Sequence, residues 1–229
     1  MSSLRHPLAL VAAVLLLASC GGSEDSDDTS KPEAGATTGS SSVAPTDDAT
    51  ESPEGSGGAE AGTVARAAFC DDIDPAAVAD LLDIDEAEVI ADYEPGDEIP
   101  AGDGVAPVVA PYWTCTIGTT SGAAIGATWN VGNVDAQPAD AQTNLERQTI
   151  ALGSDGCADV EDETLGAGTR GIDCEGDAGG TRFVLAARSV VVDGTQLDCS
   201  IASTGDDELA TIVAAVPEVC GLFRDLVVR

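Results

Sequence analysis

The residues of this sequence that could do chemistry are carboxylates and cysteines, because most other reactive side chains are absent. The chain has 229 residues, with 41 aspartates and glutamates, seven cysteines, one histidine and nine basic residues. The histidine is His6 and the only lysine is Lys31, and both precede the stretch whose apolar pattern suits a folded domain. Histidine-dependent nucleophilic catalysis and lysine Schiff-base chemistry are therefore excluded for that stretch.

A carboxylate pair acting on a glycosidic bond is the catalytic arrangement that the composition leaves open. Sugar sites usually add aromatic platforms, and most aromatic residues of this sequence suit core positions instead. The seven aromatic residues of the sequence are Phe69, Tyr93, Tyr112, Trp113, Trp129, Phe183 and Phe223. Trp113 and Trp129 could alternatively line a small-molecule pocket. We predict that the protein is not an enzyme, with a glycoside hydrolase as an alternative.

Two acid-rich segments, 155–163 and 173–177, could offer oxygen ligands to a hard cation such as Ca²⁺. The candidate ligands are Asp155, Asp159, Glu161, Asp173, Glu175 and Asp177. Neither segment follows the twelve-residue calcium-loop pattern, since Ala178 stands where a glycine is needed. We predict no metal or other cofactor, with Ca²⁺ as the alternative.

Six cysteines follow Cys20, and an even number in an exported chain predicts three disulfides. The sequence contains no C-x-x-C spacing, which disfavours a zinc or redox site. Proximity along the chain favours the pairs Cys157–Cys174 and Cys199–Cys220, which leaves Cys70–Cys115. Other connectivities remain open, because neighbours in sequence need not be neighbours in the fold.

The N-terminus carries an export signature. Arg5 precedes an apolar run from Leu8 to Leu17, which is too short to span a bilayer comfortably. The run closes with Leu-Ala-Ser before Cys20, which resembles the bacterial lipobox. That resemblance implies cleavage after residue 19, a lipid on Cys20 and a place on the extracytoplasmic face of the cell membrane. The alternatives are an ordinary signal peptide with a chance cysteine or an uncleaved anchor.

Composition and charge divide the rest into a tether and one domain. Residues 20–62 are mostly Ser, Thr, Gly, Pro, Ala and acids, which predicts a disordered tether. Residues 63–229 form the predicted domain, with 31 carboxylates against seven arginines and hence a net charge of −24. This charge argues against nucleic acid and anionic lipid as partners of the domain. It favours a cationic or neutral partner, or it serves only solubility.

The pattern of the domain predicts helices around two β-hairpins. Asp74 and Pro75 open a helix, and a second short helix is predicted over 85–91. The hairpins are 112–119 with 124–131, and 181–192 with 195–203, the latter joined by Asp193-Gly194. We predict a helix over 139–152, a loop over 155–180 with a short strand at 171–174, and a last helix over 206–216 that Pro217 ends. A short helix or edge segment over 222–228 follows it. The fold class is α+β, with an antiparallel sheet of two hairpins packed by helices on one side.

The layout as a whole resembles actinobacterial cell-surface lipoproteins of unknown function. The shared features are the lipobox, the acidic tether, Phe69-Cys70 before a helix, Trp113-x-Cys115 in a strand, and the later Cys199 and Cys220. The pattern is also similar to the disulfide-stapled extracellular sensor domains of mycobacterial receptor kinases, although we expect no kinase domain or membrane-spanning helix. The resemblance implies an α+β disulfide domain and supplies no catalytic residues.

Together these features predict a lipid-anchored, non-enzymatic envelope lipoprotein that binds a ligand or a protein partner at the cell surface. The alternative is a structural or accessory envelope protein without a ligand pocket. A deep, partly apolar cavity would favour the first, and a flat acidic face would favour the second.

Overall fold

The computed structural model describes residues 62–100, 106–119, 124–152, 156–178, 180–205 and 207–229. The predicted signal peptide, Cys20 and the tether before residue 62 lie outside the described residues. The helices are α1 (Pro75–Leu82), α2 (Pro138–Leu152) and α3 (Leu209–Val227), and a 3-10 turn spans Cys70–Asp72. The strands are β1 (Glu88–Tyr93), β2 (Glu98–Ile99), β3 (Val108–Val109), β4 (Tyr112–Gly118), β5 (Ala124–Gly132), β6 (Cys157–Asp162), β7 (Thr169–Ala178), β8 (Thr181–Val192) and β9 (Thr195–Thr204).

The two predicted hairpins form the centre of a seven-stranded sheet in the order β1-β4-β5-β9-β8-β7-β6. Every neighbouring pair in this sheet is antiparallel, and β5 pairs with β9 to join the hairpins. Asp193 and Gly194 have φ values of 48° and 69°, as a two-residue hairpin turn on twisted strands requires. The predicted α+β fold with an antiparallel sheet is confirmed.

Three further strands occupy segments that we predicted as helix and loop. β1 lies where a helix was expected over 85–91, and β6 and β7 lie within the expected loop 155–180. The short strand predicted at 171–174 is part of the longer β7. These segments are rich in acids, which are common on sheet edges and hide the apolar alternation of a strand. Pairing with β4 and β8 supplies the stability that their local sequence lacks, so neighbours decide their conformation.

Helices cover both faces of the sheet, and the prediction that they lie on one side is wrong. α1 and α3 pack on the face that contains Trp129, Val184 and Ile201. α2 packs on the opposite face, where Leu145 joins a cluster with Leu185. Every β8 residue from 183 to 190 is buried, because the strand is covered on both faces.

The last helix continues through Pro217, which we expected to end it. Buried residues recur at helical spacing on both sides of the proline, with Val216 before it and Val219, Cys220 and Phe223 after it. Pro217 itself is exposed, so its ring lies away from the sheet. The proline removes one hydrogen bond of the helix, and burial of the continuous apolar stripe outweighs that loss.

The three disulfides have the predicted connectivity, Cys70–Cys115, Cys157–Cys174 and Cys199–Cys220. The first joins the 3-10 turn to β4, the second links directly opposed residues of β6 and β7, and the third joins β9 to α3. Trp129 is fully buried, and its indole Nε1 donates to the carbonyl oxygen of Val219 at 3.3 Å. Trp113 packs against the same core and is only partly buried.

Candidate binding groove

An open groove of about 630 Å³ lies between α1 and α3. Its apolar lining includes Ala77 and Leu81 of α1 and Leu222 and Leu226 of α3. Leu222 and Leu226 share one face of α3 because they are four residues apart. These leucines and Leu81 are only partly buried against the core, so they present apolar surface to the groove.

Four carboxylates also line the groove, and none of the described residues that line it is basic. Asp74 accepts a hydrogen bond from the backbone N–H of Ala76 at 2.9 Å, and Asp225 pairs with Arg224 at 2.8 Å. Asp72 and Glu218 make no ion pair with any residue that the structure describes. The groove therefore combines an apolar lining with uncompensated negative charge, which suits a ligand that is both cationic and apolar.

Gly221 lies inside α3 and lines the groove. A Cβ added there would meet nothing within 4 Å, so packing does not demand a glycine at this position. Glycine in a helix interior costs about 0.5–1 kcal/mol relative to alanine. What the glycine provides is close access to the helix backbone along the groove.

We expect Gly221→Ala to raise the free energy of unfolding by about 0.5–1 kcal/mol, because alanine loses less conformational entropy in a helix. Urea unfolding of the oxidised protein measures this change. Gly171→Ala is the matched control, since a Cβ at position 171 would lie 2.6 Å from Cδ of Arg188, and that variant should be destabilised. A loss of stability in Gly221→Ala would mean that the groove face of α3 is packed and not open.

The sequence does not predict this groove. Pro217 suggests a helix end with only a short helix or edge segment after it, which hides the shared face of Glu218, Leu222 and Asp225. The signal that could have revealed it is the spacing, since residues four and seven apart lie on one face of a continuous helix.

The sequence-predicted metal ligands are spread over both faces of the β6–β7 hairpin. The register places Asp159 and Glu161 on the face of Ile172, whereas Asp173 and Glu175 lie on the opposite face. Glu161 pairs with Arg170, Glu175 pairs with Arg182 at 3.2 Å, and Asp177 accepts from the N–H of Gly180 at 2.7 Å. Asp155 lies outside the described residues. No group of three or more potential ligands among the described residues could hold a metal ion.

Arg188 supplies a built-in cation to two of the acids near this hairpin. Its side chain is 3% exposed, and it donates from Nε to Asp162 at 2.5 Å and from Nη1 to Asp173 at 2.7 Å. Burial alone would raise the pKa of Asp162, but hydrogen bonds from the Thr164 backbone and from Arg188 lower it below the usual value. Gly171 leaves room for the arginine, since a Cβ there would clash with it. One guanidinium therefore holds both carboxylates of this structural cluster.

A second buried carboxyl, Asp198, lies on the face of the sheet that α2 covers. It accepts from Ser189 Oγ at 2.5 Å and from Gln196 Nε2 at 3.0 Å, and Asn144 of α2 also hydrogen-bonds to it. Burial raises the pKa of Asp198 above the ordinary 3.8, and these hydrogen bonds offset the rise in part. The network joins α2 to β8 and β9.

The raised pKa of Asp198 predicts a pH dependence of stability. The folded state holds this proton more tightly than the unfolded state, so the contribution of Asp198 to stability grows as the pH falls through the raised pKa toward 3.8. That contribution is lost as the pH rises through the raised pKa. We expect the stability difference between wild type and Asp198→Asn to be more favourable to wild type at about pH 4 than at about pH 7. Urea unfolding of both proteins at each pH measures it, and a constant difference would contradict the assignment.

No helix of the described residues is long and apolar enough to cross a membrane. No protein-family model matches the sequence, and no curated protein matches it either. Among solved structures, the chain is similar to LpqN of Mycobacterium tuberculosis, a protein described as involved in cell envelope biogenesis. The two share 15% identity over 58% of this chain and 87% of LpqN, with a TM-score of 0.31. A TM-score this low does not establish a common fold.

Proposed function

We propose that this chain is a lipid-anchored protein of the extracytoplasmic face of the cell membrane, and that its domain binds a ligand or protein partner without catalysis. The observation that carries the binding function is the open groove between α1 and α3, with its apolar lining and acidic side chains. The groove is open and not a deep cavity, and it is its apolar lining that supports a binding protein over an accessory protein without a ligand pocket. The accessory protein remains the alternative function.

Two further observations support the proposal. The lipobox-like Leu-Ala-Ser before Cys20 supports export and lipidation, and three disulfides suit an oxidising compartment outside the cytoplasm. The groove lining includes acids but no aromatic side chain, which favours binding over the glycoside hydrolase alternative. Trp129, one of the two tryptophans of the β4–β5 hairpin, lies in the core and is fully buried.

Lipidation at Cys20 predicts the location of the protein in cell fractions. We expect Cys20→Ala to remove the protein from the membrane fraction, because the thiol that would carry the lipid is lost. Fractionation followed by immunodetection measures this, with Cys157→Ala/Cys174→Ala as a control that changes cysteines but keeps the anchor. Membrane retention of Cys20→Ala at the wild-type level would contradict the lipid anchor.

Binding in the groove can be tested with three amphiphiles of one chain length, octylammonium, octyl glucoside and octanoate, below their micelle concentrations. We expect octylammonium to raise the melting temperature saturably, because a ligand of the folded state stabilises it with increasing concentration. Octanoate should not raise the melting temperature, since its carboxylate is repelled by the carboxylates of the groove. Gly221→Leu should abolish the shift by filling the groove. A shift that persists in Gly221→Leu, or equal shifts with sodium chloride, would contradict binding at this site.

A further inference from the structure

We propose that the occupant of this groove is an amphipathic helix of a partner protein, with an apolar stripe between two basic residues seven positions apart. The inference rests on the proposed binding function and names the class of partner. It follows from the distribution of acids along α3, from the open backbone at Gly221 and from the charge of the whole domain.

The acids of α3 are spaced for an elongated partner. Glu218 and Asp225 both line the groove and are seven residues apart, which places them on one face about 10 Å apart along the helix. Leu222 lies between them on the same wall. A partner helix that lies along this wall could pair the acids with two basic residues that are themselves seven positions apart. The apolar residues between those two basic residues would contact the leucine. A small cation would need only one of these carboxylates.

Gly221 is where a partner backbone can come closest to α3. Its missing side chain leaves open space above the helix, between Glu218 and Asp225. Helices that pack against a small residue approach each other closely, so dispersion contacts increase along the crossing. The opposite wall adds Ala77, another small side chain, and Leu81.

Several kinds of molecule could cover the apolar lining of the groove, and charge complementarity favours a basic helix among them. The predicted domain carries a net charge of −24 and contains no lysine. Five of its seven arginines already pair with acids. A second copy of the chain would bring the same negative charge, and an anionic lipid would be repelled. A basic helix gains from both the leucines and the unpaired Asp72 and Glu218.

The test uses the full-length oxidised protein and two labelled helical peptides of about 18 residues. One carries leucines on one face between two lysines seven positions apart, and the other replaces those lysines with glutamates. Fluorescence anisotropy gives the affinity of each. We expect the lysine peptide to bind at least about tenfold more tightly than the glutamate peptide, and its affinity to fall as sodium chloride rises.

Two variants locate the binding. Gly221→Leu should weaken binding of the lysine peptide at least about tenfold, because the leucine fills the groove while the fold stays intact. Glu218→Gln/Asp225→Asn removes the two acids spaced seven positions apart, and it should weaken binding of the lysine peptide several-fold and reduce its salt dependence. The matched control is Asp159→Asn/Glu98→Gln, which removes the same charge from two exposed acids outside the groove lining and should leave binding unchanged.

The outcomes separate this inference from the proposed function. In one outcome, octylammonium binds, Gly221→Leu abolishes that binding, and the lysine peptide does not bind. This result overturns the helix partner and leaves the groove as a ligand site. Equal affinity of the lysine and glutamate peptides overturns it as well, since charge then selects nothing. If Gly221→Leu still binds both octylammonium and the lysine peptide, the inference is overturned, and the groove is not the binding site.

Discussion

Replacing Arg188 with methionine is expected to lower the free energy of unfolding by about 3 kcal/mol at neutral pH, because it leaves two carboxylates without their cation. Arg188 is almost completely buried and contacts both Asp162 and Asp173. Methionine keeps much of the apolar stem, so the loss reports the missing charge and hydrogen bonds more than missing volume. Urea unfolding at about pH 7 measures the change.

The control for this prediction removes the stranded charges. Arg188→Met/Asp162→Asn/Asp173→Asn should recover most of the stability, because a neutral cluster no longer leaves a partly buried carboxylate unpaired. The loss in Arg188→Met should also shrink on acidification, because the lowered pKa of Asp162 in the wild type makes its contribution to stability fall as the pH drops through that pKa. A triple variant as unstable as Arg188→Met would mean that packing of the arginine, and not its charge, holds the cluster together.

Removing the disulfide between β9 and α3 is expected to have a similarly large effect. Cys199 and Cys220 are separated by 21 residues, so the chain-entropy model predicts a loss of about 3 kcal/mol. Both cysteines are 1% exposed, and Cys199→Ala/Cys220→Ala would also leave a small cavity beneath α3. We expect a total loss of about 3–5 kcal/mol, measured by urea unfolding.

The comparison that tests this reasoning is Cys157→Ala/Cys174→Ala. This pair closes a loop of similar length, but Cys157 belongs to an edge strand and is only partly buried. Its removal should cost less than removal of Cys199–Cys220, because strand pairing already holds the two residues opposite each other. An equal or larger cost for the edge pair would show that burial beneath α3 adds nothing to the loop-closure contribution.

The arginines show how a strongly acidic domain limits self-repulsion. Arg66 donates to Asp135 at 2.9 Å and to Thr195 at 2.8 Å, and Arg170 and Arg182 pair with acids of β6 and β7. Exposed pairs of this kind contribute about 1 kcal/mol at most. The groove differs, since among the described residues the only ion pair of its lining acids is that of Asp225 with Arg224. This imbalance is the basis of the proposed cationic partner.

The sequence alone was sufficient for the features that depend on local chemistry. The turn at Asp193-Gly194, the Asp74 cap with Pro75 and the strands β4, β5, β8 and β9 follow from residue types and short spacings. Proximity along the chain favoured the observed cysteine pairs but left other connectivities open. The α+β class follows from the order of those elements. The absence of histidine and lysine from residues 63–229 also limits the chemistry that any fold of this chain could perform.

Only the tertiary structure decided which segments become strands at the sheet edges, and which sides of the sheet the helices cover. β1, β6 and β7 are stabilised by hydrogen bonds to neighbouring strands, and those bonds leave no periodic signal in an acid-rich segment. α3 continues through Pro217 because a buried stripe on the sheet outweighs one lost hydrogen bond. The groove exists for the same reason, since it requires a continuous α3 beside α1, and burial against the sheet is a property of the assembled fold.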